Sequence, residues 1–516
     1  MRYMKGLAIA SVALATVLTS CDMGDFDDLN VSPNKPGEAY TSMLFTYSAR
    51  NVRSFTMNSY DYDPWIQLRT GYLSEAKNNQ YGGMTTTTSY GTSNYYRYII
   101  KNLNTIIEMN EDETSKSQVA VVSFGDNANQ IAVAKTLRAF FFMTLTDILG
   151  PLPYSEAFKG ESDDIWEPKF DSQEDIYAAL DADLQDAFGR FDVSKSLSNA
   201  DILYNGDVSK WKKFNATLRM MMAIKMADVD PANGKARFAR AYQDGGIEQV
   251  EDGFHYKFDS NSSAYAWMYY VGNLSYSGRG LNFVPNKVIV DALKEYKDPR
   301  MFSYFTLSGY RGTVEGDPAD FEAYQGVPFG LPTNDAVVSA AKGCCSVAAS
   351  YCEPQATYGV ITAARTLLVE AEAAEMGWIE ADPKALYEAG IRASFAFQAT
   401  YHTAVSGIEE YLASDKVKLS SDKETAIKQI VMQRFLSGFL TDGIESWSDW
   451  RRFNIPVLPI YEGQSDNGVE VYPYRLSYSD TDKQYNVANS DEAIKKYLNG
   501  QDSMWERVWW DVKDNK

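Results

Sequence analysis

The stretch from Thr362 to Thr400, TAARTLLVEAEAAEMGWIEADPKALYEAGIRASFAFQAT, decides the fold. Apolar and small residues recur at three- and four-residue intervals on both sides of a short Gly377-Trp378 turn. That period predicts two helices, Thr362 to Met376 and Pro383 to Thr400. Asp382 can cap the second helix, and Pro383 suits its first position, where the missing N–H would have had no helical partner. Ala371, Ala374, Ala385, Ala389 and Ala393 are small enough for the two helices to approach closely as an antiparallel pair. Glu370 and Glu372 point to different sides of the first helix, while Glu372 and Glu375 can share one. A solvated face or ion pairs to Arg365 account for them.

The same period spreads outward. From about Asn129 to Leu149, residues Ile131, Ala134, Leu137, Phe141, Leu145 and Ile148 form one wide apolar face, and Gly150-Pro151 ends the run. Ser172 with Asp175 three residues on reads as a capping box for a helix through Ile176, Leu180, Leu184 and Phe188. Trp211 to Ala227 is a third. Paired in this way the helices resemble tetratricopeptide hairpins, although no strict period of about 34 residues is present. The predicted class is mostly α: tetratricopeptide-like hairpins with an irregular, loop-rich half. Tyr-, Gly- and Asn-rich stretches at Asn78 to Thr92, Tyr265 to Gly280 and Tyr304 to Pro332 interrupt the scaffold as long loops, the segments that usually carry function.

The N-terminus reads differently. Arg2 and Lys5 precede an apolar stretch, Gly6 to Thr19, and Leu18-Thr19-Ser20-Cys21 closes it. Such a stretch is too short for a hydrocarbon core of about 30 Å and reads as a signal h-region. The last four residues read as a lipoprotein cleavage box, with a secretory signal and a chance cysteine as the alternative. Cleavage makes Cys21 the first residue, where acyl chains contribute roughly 0.8 kcal/mol per buried methylene. Residues 1–20 are therefore read as signal peptide and 21–36 as an acidic tether with Asp22, Asp25, Asp27 and Asp28. Residues 37–516 are read as one domain, since no linker divides them and no second apolar stretch could span a membrane.

The net charge of −20 becomes −22 once Arg2 and Lys5 leave with the signal. Basic residues are scattered among a larger number of acids, which excludes the basic face a nucleic-acid binder needs. The remaining cysteines, Cys344, Cys345 and Cys352, share the segment GCCSVAASYC. In an oxidising exterior, one loop disulfide from Cys352 to either neighbour is the expectation. No metal or cofactor site is expected, because neither His255 nor His402 lies near these thiols in sequence.

Several short motifs share an order. Asp28-Leu29-Asn30 and Ser32-Pro33-Asn34 follow the tether, then Leu137-Arg138-Ala139 leads into Asp147-Ile148-Leu149-Gly150-Pro151-Leu152-Pro153-Tyr154. Trp211-Lys212-Lys213-Phe214 with Leu218-Arg219, Asp298-Pro299-Arg300 and Glu445-Ser446-Trp447-Ser448-Asp449-Trp450-Arg451-Arg452 come later. Together they resemble the SusD/RagB-like nutrient-binding lipoproteins of the Bacteroidetes outer membrane, across nearly the whole mature chain. The resemblance implies a helical body bearing an irregular half and a lipid anchor facing the cell exterior. It also implies a SusC-like TonB-dependent barrel as partner, to which oligosaccharides, or peptides in some members, are delivered.

Thirty-five tyrosines and ten tryptophans supply rings on which a sugar's C–H face can stack. The best local cluster is Tyr265, Trp267, Tyr269, Tyr270, Asn273, Tyr276 and Arg279; Tyr81 with Asn78, Asn79 and Gln80 comes second. A buried face of a short strand is the alternative for the first. Trp447 and Trp450, beside Arg451 and Arg452, read as packing and ion pairing, and Trp505, Trp509 and Trp510 as a seal on the helical body.

Catalysis finds little support. The chain lacks a G-x-S-x-G elbow, an H-E-x-x-H pair and a phosphate-binding loop. His255, in the alternating segment Phe254 to Phe258, reads as a hydrogen-bonded structural residue, and His402 as a helix cap or surface residue. A glycosidase needs only two carboxylates and stays open as an alternative, as does a purely structural lid. The expected function is non-catalytic glycan capture. A Cys21→Ala variant is expected to leave the membrane fraction and appear in the soluble one on fractionation.

Overall fold

A computed structural model describes residues 39–55, 63–76, 89–261, 283–309, 312–460 and 472–513. Eleven of its longer helices set the frame. They are α1 (Thr41–Arg50), α2 (Lys101–Glu111), α3 (Asn127–Leu149), α4 (Gln173–Arg190), α5 (Val208–Lys225) and α6 (Pro231–Asp244). In the second half come α7 (Ala363–Glu375), α8 (Pro383–Tyr401), α9 (Lys423–Ser437), α10 (Gly443–Phe453) and α11 (Val487–Tyr497).

Successive helices pack as hairpins: α2 on α3, α3 on α4, α5 on α6 and α7 on α8, with α5 and α9 both against α7. The caps fall where the sequence placed them. Ser172 Oγ accepts from the Asp175 N–H and Asp382 from Lys384, while Thr362, expected inside its helix, is the cap and accepts from Arg365. Gly150 ends α3 at φ +83°, a conformation that favours glycine. The helix expected from Trp211 opens earlier, at Val208, because Asp207 accepts hydrogen bonds from Ser209 and Lys210. Strands are short. The longest ladder pairs Phe254–Lys257 antiparallel with Thr357–Ile361, with a register shift between Gly359 and Ile361. One contiguous core runs from Phe45 to Trp510, and smaller clusters fill the α5–α6–α7 and α7–α8–α9 junctions.

Charge is buried inside this frame. Arg434 pairs with Glu372 at 2.6 Å and with Asp449 at 3.0 Å, and Arg452 reaches the other Glu372 oxygen at 2.6 Å. Arg365 meets Asp442 at 3.3 Å and also pairs with Asp449. Lys225 lies between Asp147 at 2.6 Å and Glu445 at 2.8 Å. Asp147 further accepts from Tyr177 Oη at 2.5 Å and Trp510 Nε1 at 2.8 Å. The Arg451 guanidinium is held between the Trp447 and Trp510 rings, 4.0 and 4.3 Å from their centroids. Trp447, Trp450 and Trp510 are thus packing residues, as expected.

Three expectations need correction. Arg365 takes aspartates from α10 and its cap, not the α7 glutamates, and Glu372 is fully buried in its own pair. The expected packing of α7 on α8 is present, with Ala371 buried at the junction and Ala385 exposed; Gly390 adds to it, since a Cβ there would lie 2.7 Å from Leu368 Cγ. All three cysteines are buried free thiols. Cys344 packs with Ala76, Val284 and Val327, whereas Cys345 and Cys352 belong to the main core, and burial pushes the Cys344 thiol up to about 11. His255 Nε2 has no hydrogen-bond partner; its ring is edge-on to Phe397 and Tyr401, and burial lowers its pKa to about 3. His402 does cap α8, but its ring stacks on Tyr351 at 3.6 Å instead of facing solvent.

Glu370 is the odd carboxyl. It is fully buried, its two oxygens accept no hydrogen bond, and burial, with Glu248 adding, pushes it up to about 8. The unfolded chain releases this proton near the ordinary glutamate value, about 4.3. Between those values the native state holds a proton the unfolded state has lost, so stability falls as pH rises and levels off above about 8. His255 and His402, both lowered by burial, work against this trend until the unfolded imidazoles lose their protons near pH 6.5, and above about pH 7 the Glu370 effect is the larger. From pH 7 to 8 the unfolding free energy is expected to fall by on the order of 1 kcal/mol, read as a falling melting temperature. Glu370→Gln should flatten that slope and be the more stable protein at pH 8.

Candidate functional site

A cleft of about 660 Å³ opens at one end of the hairpins. Its first wall is a π-helical turn, Tyr95–Ile100, that runs directly into α2; such turns often occur at functional sites. The second wall is the excursion between α3 and α4, from Leu152 to Phe170. Its ends close on each other because Leu152–Pro153 pairs antiparallel with Phe170–Asp171. The third wall comes from the chain end, through Tyr478, Asp482, Tyr485 and Asn486.

The walls are stapled by polar groups that face inward. Asp482 accepts from the Thr92 N–H at 2.8 Å, from Thr92 Oγ1 at 2.9 Å and from Ser93 Oγ at 2.6 Å. Tyr96 Oη donates to the Pro153 carbonyl at 2.6 Å, and burial holds this phenol well above its ordinary range. Its ring stacks on Phe158, with centroids 5.8 Å apart. Tyr478 Oη donates to the Pro151 carbonyl at 2.6 Å, and Asn486 Nδ2 to that of Pro168 at 2.6 Å. These donors are consumed in building the cleft. What remains toward solvent is largely aromatic: Trp166 is 69% exposed and Tyr485 78%. Arg97 and Lys101 stand one helical turn apart on the first wall, and Glu161 lies on the second.

The arrangement can hold a ligand by ring faces and a few charged groups. Neither histidine lines it. Among the described residues no group of three or more His, Cys, Asp and Glu side chains could hold a metal ion. No described helix is long and apolar enough to cross a membrane.

The ligand residues expected from sequence, Asn78, Tyr81, Trp267, Tyr269, Tyr270, Tyr276 and Arg279, all lie outside the described residues, as does the expected lipidation site Cys21. The cleft is therefore built from side chains that sequence reasoning passed over. A signal was present: Trp166 sits in Ser162-Asp163-Asp164-Ile165-Trp166-Glu167-Pro168, a polar, proline-ended excursion with no apolar period to bury a tryptophan.

A helical-hairpin body carrying an aromatic cleft on its inter-helix excursions defines a ligand-binding class of protein. The family described as "SusD-like, starch-binding associating with outer membrane" matches residues 33–479. The chain belongs to the SusD-like family. It is similar to a SusD homologue from Bacteroides fragilis, with 22% identity and a TM-score of 0.77, covering 92% of this chain and 100% of that one. An outer-membrane protein from Bacteroides vulgatus, described in terms of nutrient binding, gives 24% identity and a TM-score of 0.75 at the same coverage. A chitin-binding SusD homologue from Flavobacterium johnsoniae gives 23% and 0.67, covering 92% and 99%. These likenesses establish the fold. A comparison with curated protein sequences gives no match.

Asp482 ties the first and third walls through three donors. Asp482→Ala is expected to lower stability by about 1–3 kcal/mol by leaving them unpaired, read as a lower urea midpoint with an unchanged denaturant slope.

Proposed function

We propose that this protein captures an oligosaccharide in the aromatic cleft, without chemistry, and passes it to a SusC-like TonB-dependent barrel in the outer membrane. The observation that carries the reading is the pair of exposed rings, Trp166 and Tyr485, over a cleft whose walls are tied together by Asp482, Tyr96, Tyr478 and Asn486. A sugar presents an apolar C–H face to such rings and its hydroxyls to flanking groups, here Arg97, Lys101 and Glu161. Starch binding in the family description and chitin binding by the Flavobacterium homologue support a glycan as the ligand. Lipidation at Cys21 would hold the body at the membrane through the acidic tether, facing the cell exterior. The continuous core from Phe45 to Trp510 supports residues 37–516 as one folded unit.

Calorimetric titration against plant, host and microbial glycans, with casein-derived peptides alongside, tests the reading. Saccharide binding with no product on chromatography is expected. Trp166→Ala and Tyr485→Ala are each expected to weaken it about 5- to 30-fold, the loss of roughly 1–2 kcal/mol. Heat from peptides alone would move the protein to peptide import, and a released sugar would make it a hydrolase. Unaltered glycan affinity in both variants would remove the cleft from the binding surface.

A further inference from the structure

Trp166 is exposed, yet it is not loose. The one-turn helix Gly160–Asp163 ends at Asp164 in the left-handed region, φ 58°, and the Ile165 N–H turns back to the Lys159 carbonyl at 3.2 Å. That reversal lays the indole over Gly160. A Cβ at position 160 would stand 2.8 and 2.9 Å from ring carbons Cε3 and Cζ3, closer than side-chain carbons approach one another. The indole Nε1–H donates to Asp164 Oδ1 at 2.7 Å. The benzo ring is thus backed by Gly160 on one side, the Nε1 edge is tied to a carboxylate, and the side chain lines the cleft. Just before the turn, Phe158 also holds φ +68°, uncommon for a bulky side chain and a cost the surrounding contacts must cover.

We infer that Gly160 and Asp164 are positioning residues that mount Trp166 as a preformed, one-sided platform for the C–H face of a pyranose ring. The inference rests on the capture reading above. With its N–H already donated, the indole offers the ligand a π face instead of a hydrogen-bond donor, which selects a stacked sugar over a group that must be hydrogen-bonded. The anionic acceptor at Nε1 polarises the indole and makes its open face more electron-rich, strengthening attraction to the partly positive C–H groups of the sugar. A ring that is already ordered also spares the ligand the entropy of immobilising it. Asp164 serves twice, because aspartate is among the few residues that tolerate the left-handed backbone the turn needs.

The test uses the lipid-free body with ¹⁵N-indole tryptophan, Trp166 being assigned by the signal lost in Trp166→Phe, and titration with maltohexaose and chitohexaose. In the free protein, Asp164→Gly keeps the backbone conformation and removes the acceptor, so the Trp166 indole proton should move upfield and exchange faster. Gly160→Ala should displace the same signal by lifting the ring. Each variant should weaken the sugar that binds by about 3- to 10-fold, and Trp166→Ala by more, with melting temperature monitored throughout. An indole signal and affinity unchanged in both Asp164→Gly and Gly160→Ala, with Trp166→Ala still impaired, would overturn the mount alone. Full affinity in Trp166→Ala would overturn capture at this cleft, whatever the indole signal does. Heat from neither sugar would reject both starch-like and chitin-like ligands, while the free-protein spectra still judge the mount.

Discussion

The fold depends on one constraint: the charges buried around α10 must stay paired. Glu372, Arg434 and Arg452 are at most a few per cent exposed, and Arg365, Asp442 and Asp449 complete the set. Four helices contribute, since Arg365 and Glu372 come from α7, Arg434 from α9 and Asp449, Arg451 and Arg452 from α10, while Lys225 brings in α5 through Glu445. Net stabilisation by such pairs is modest, because desolvation offsets most of the attraction. Separating a buried pair leaves an uncompensated charge at about 3–5 kcal/mol. Apolar packing would tolerate helices sliding by a fraction of a turn; this lattice does not, so it fixes the register in which the hairpins assemble.

The same lattice positions the cleft. Asp147, the acceptor for Lys225, Tyr177 and Trp510, stands at the end of α3, three residues before the glycine that launches the second wall. Arg451 Nη1 donates to the Asp147 carbonyl at 2.6 Å and to that of Tyr474 at 2.9 Å. Arg475 Nε bonds the Leu149 carbonyl at 3.0 Å, and the Leu476 N–H bonds that of Ile148 at 2.9 Å. The chain end that supplies Tyr478, Asp482 and Tyr485 is therefore clamped to the C-terminus of α3. Two walls of the cleft share one anchor, and the third is joined to them through Asp482.

Helical elements were legible in the sequence because caps and apolar period are local signals. Ser172, Asp382 and Gly150 each mark a boundary by chemistry acting within four residues. What escaped depends on distant partners. Spacing alone offers Arg365 the glutamates on its own helix, but its aspartates lie about eighty residues away. Three cysteines in ten residues suggest a disulfide, but a strand at Ser346–Val347, paired with Phe305–Thr306, seats them in apolar surroundings as thiols. Gly390 matters only because Leu368 opposes it. Trp166 is hard to read for the opposite reason: it stands alone on its excursion, outside the aromatic-rich loops, and its local sequence does not show that Gly160 and Asp164 hold it in place.

The motifs that identified the family do structural work. Asp147 and Arg451 tie α3 to α10, Asp298 pairs with fully buried Arg300 at 2.5 Å, and Trp211 Nε1 donates to Asp201 at 2.7 Å. Of the described motif residues, Leu152 and Pro153 alone line the cleft. A sequence recognised through these motifs is recognised by its scaffold, and the scaffold says little about the ligand. The rim residues stand under the reverse constraint. Trp166 and Tyr485 are exposed, so replacing either opens no cavity in the core, and their identity is set by what they meet in solution instead of by packing. One frame can thus present different rims without rebuilding its interior. On the proposed capture reading, ligand specificity in such a body is to be read from its least buried aromatic side chains and from the backbone that holds them still.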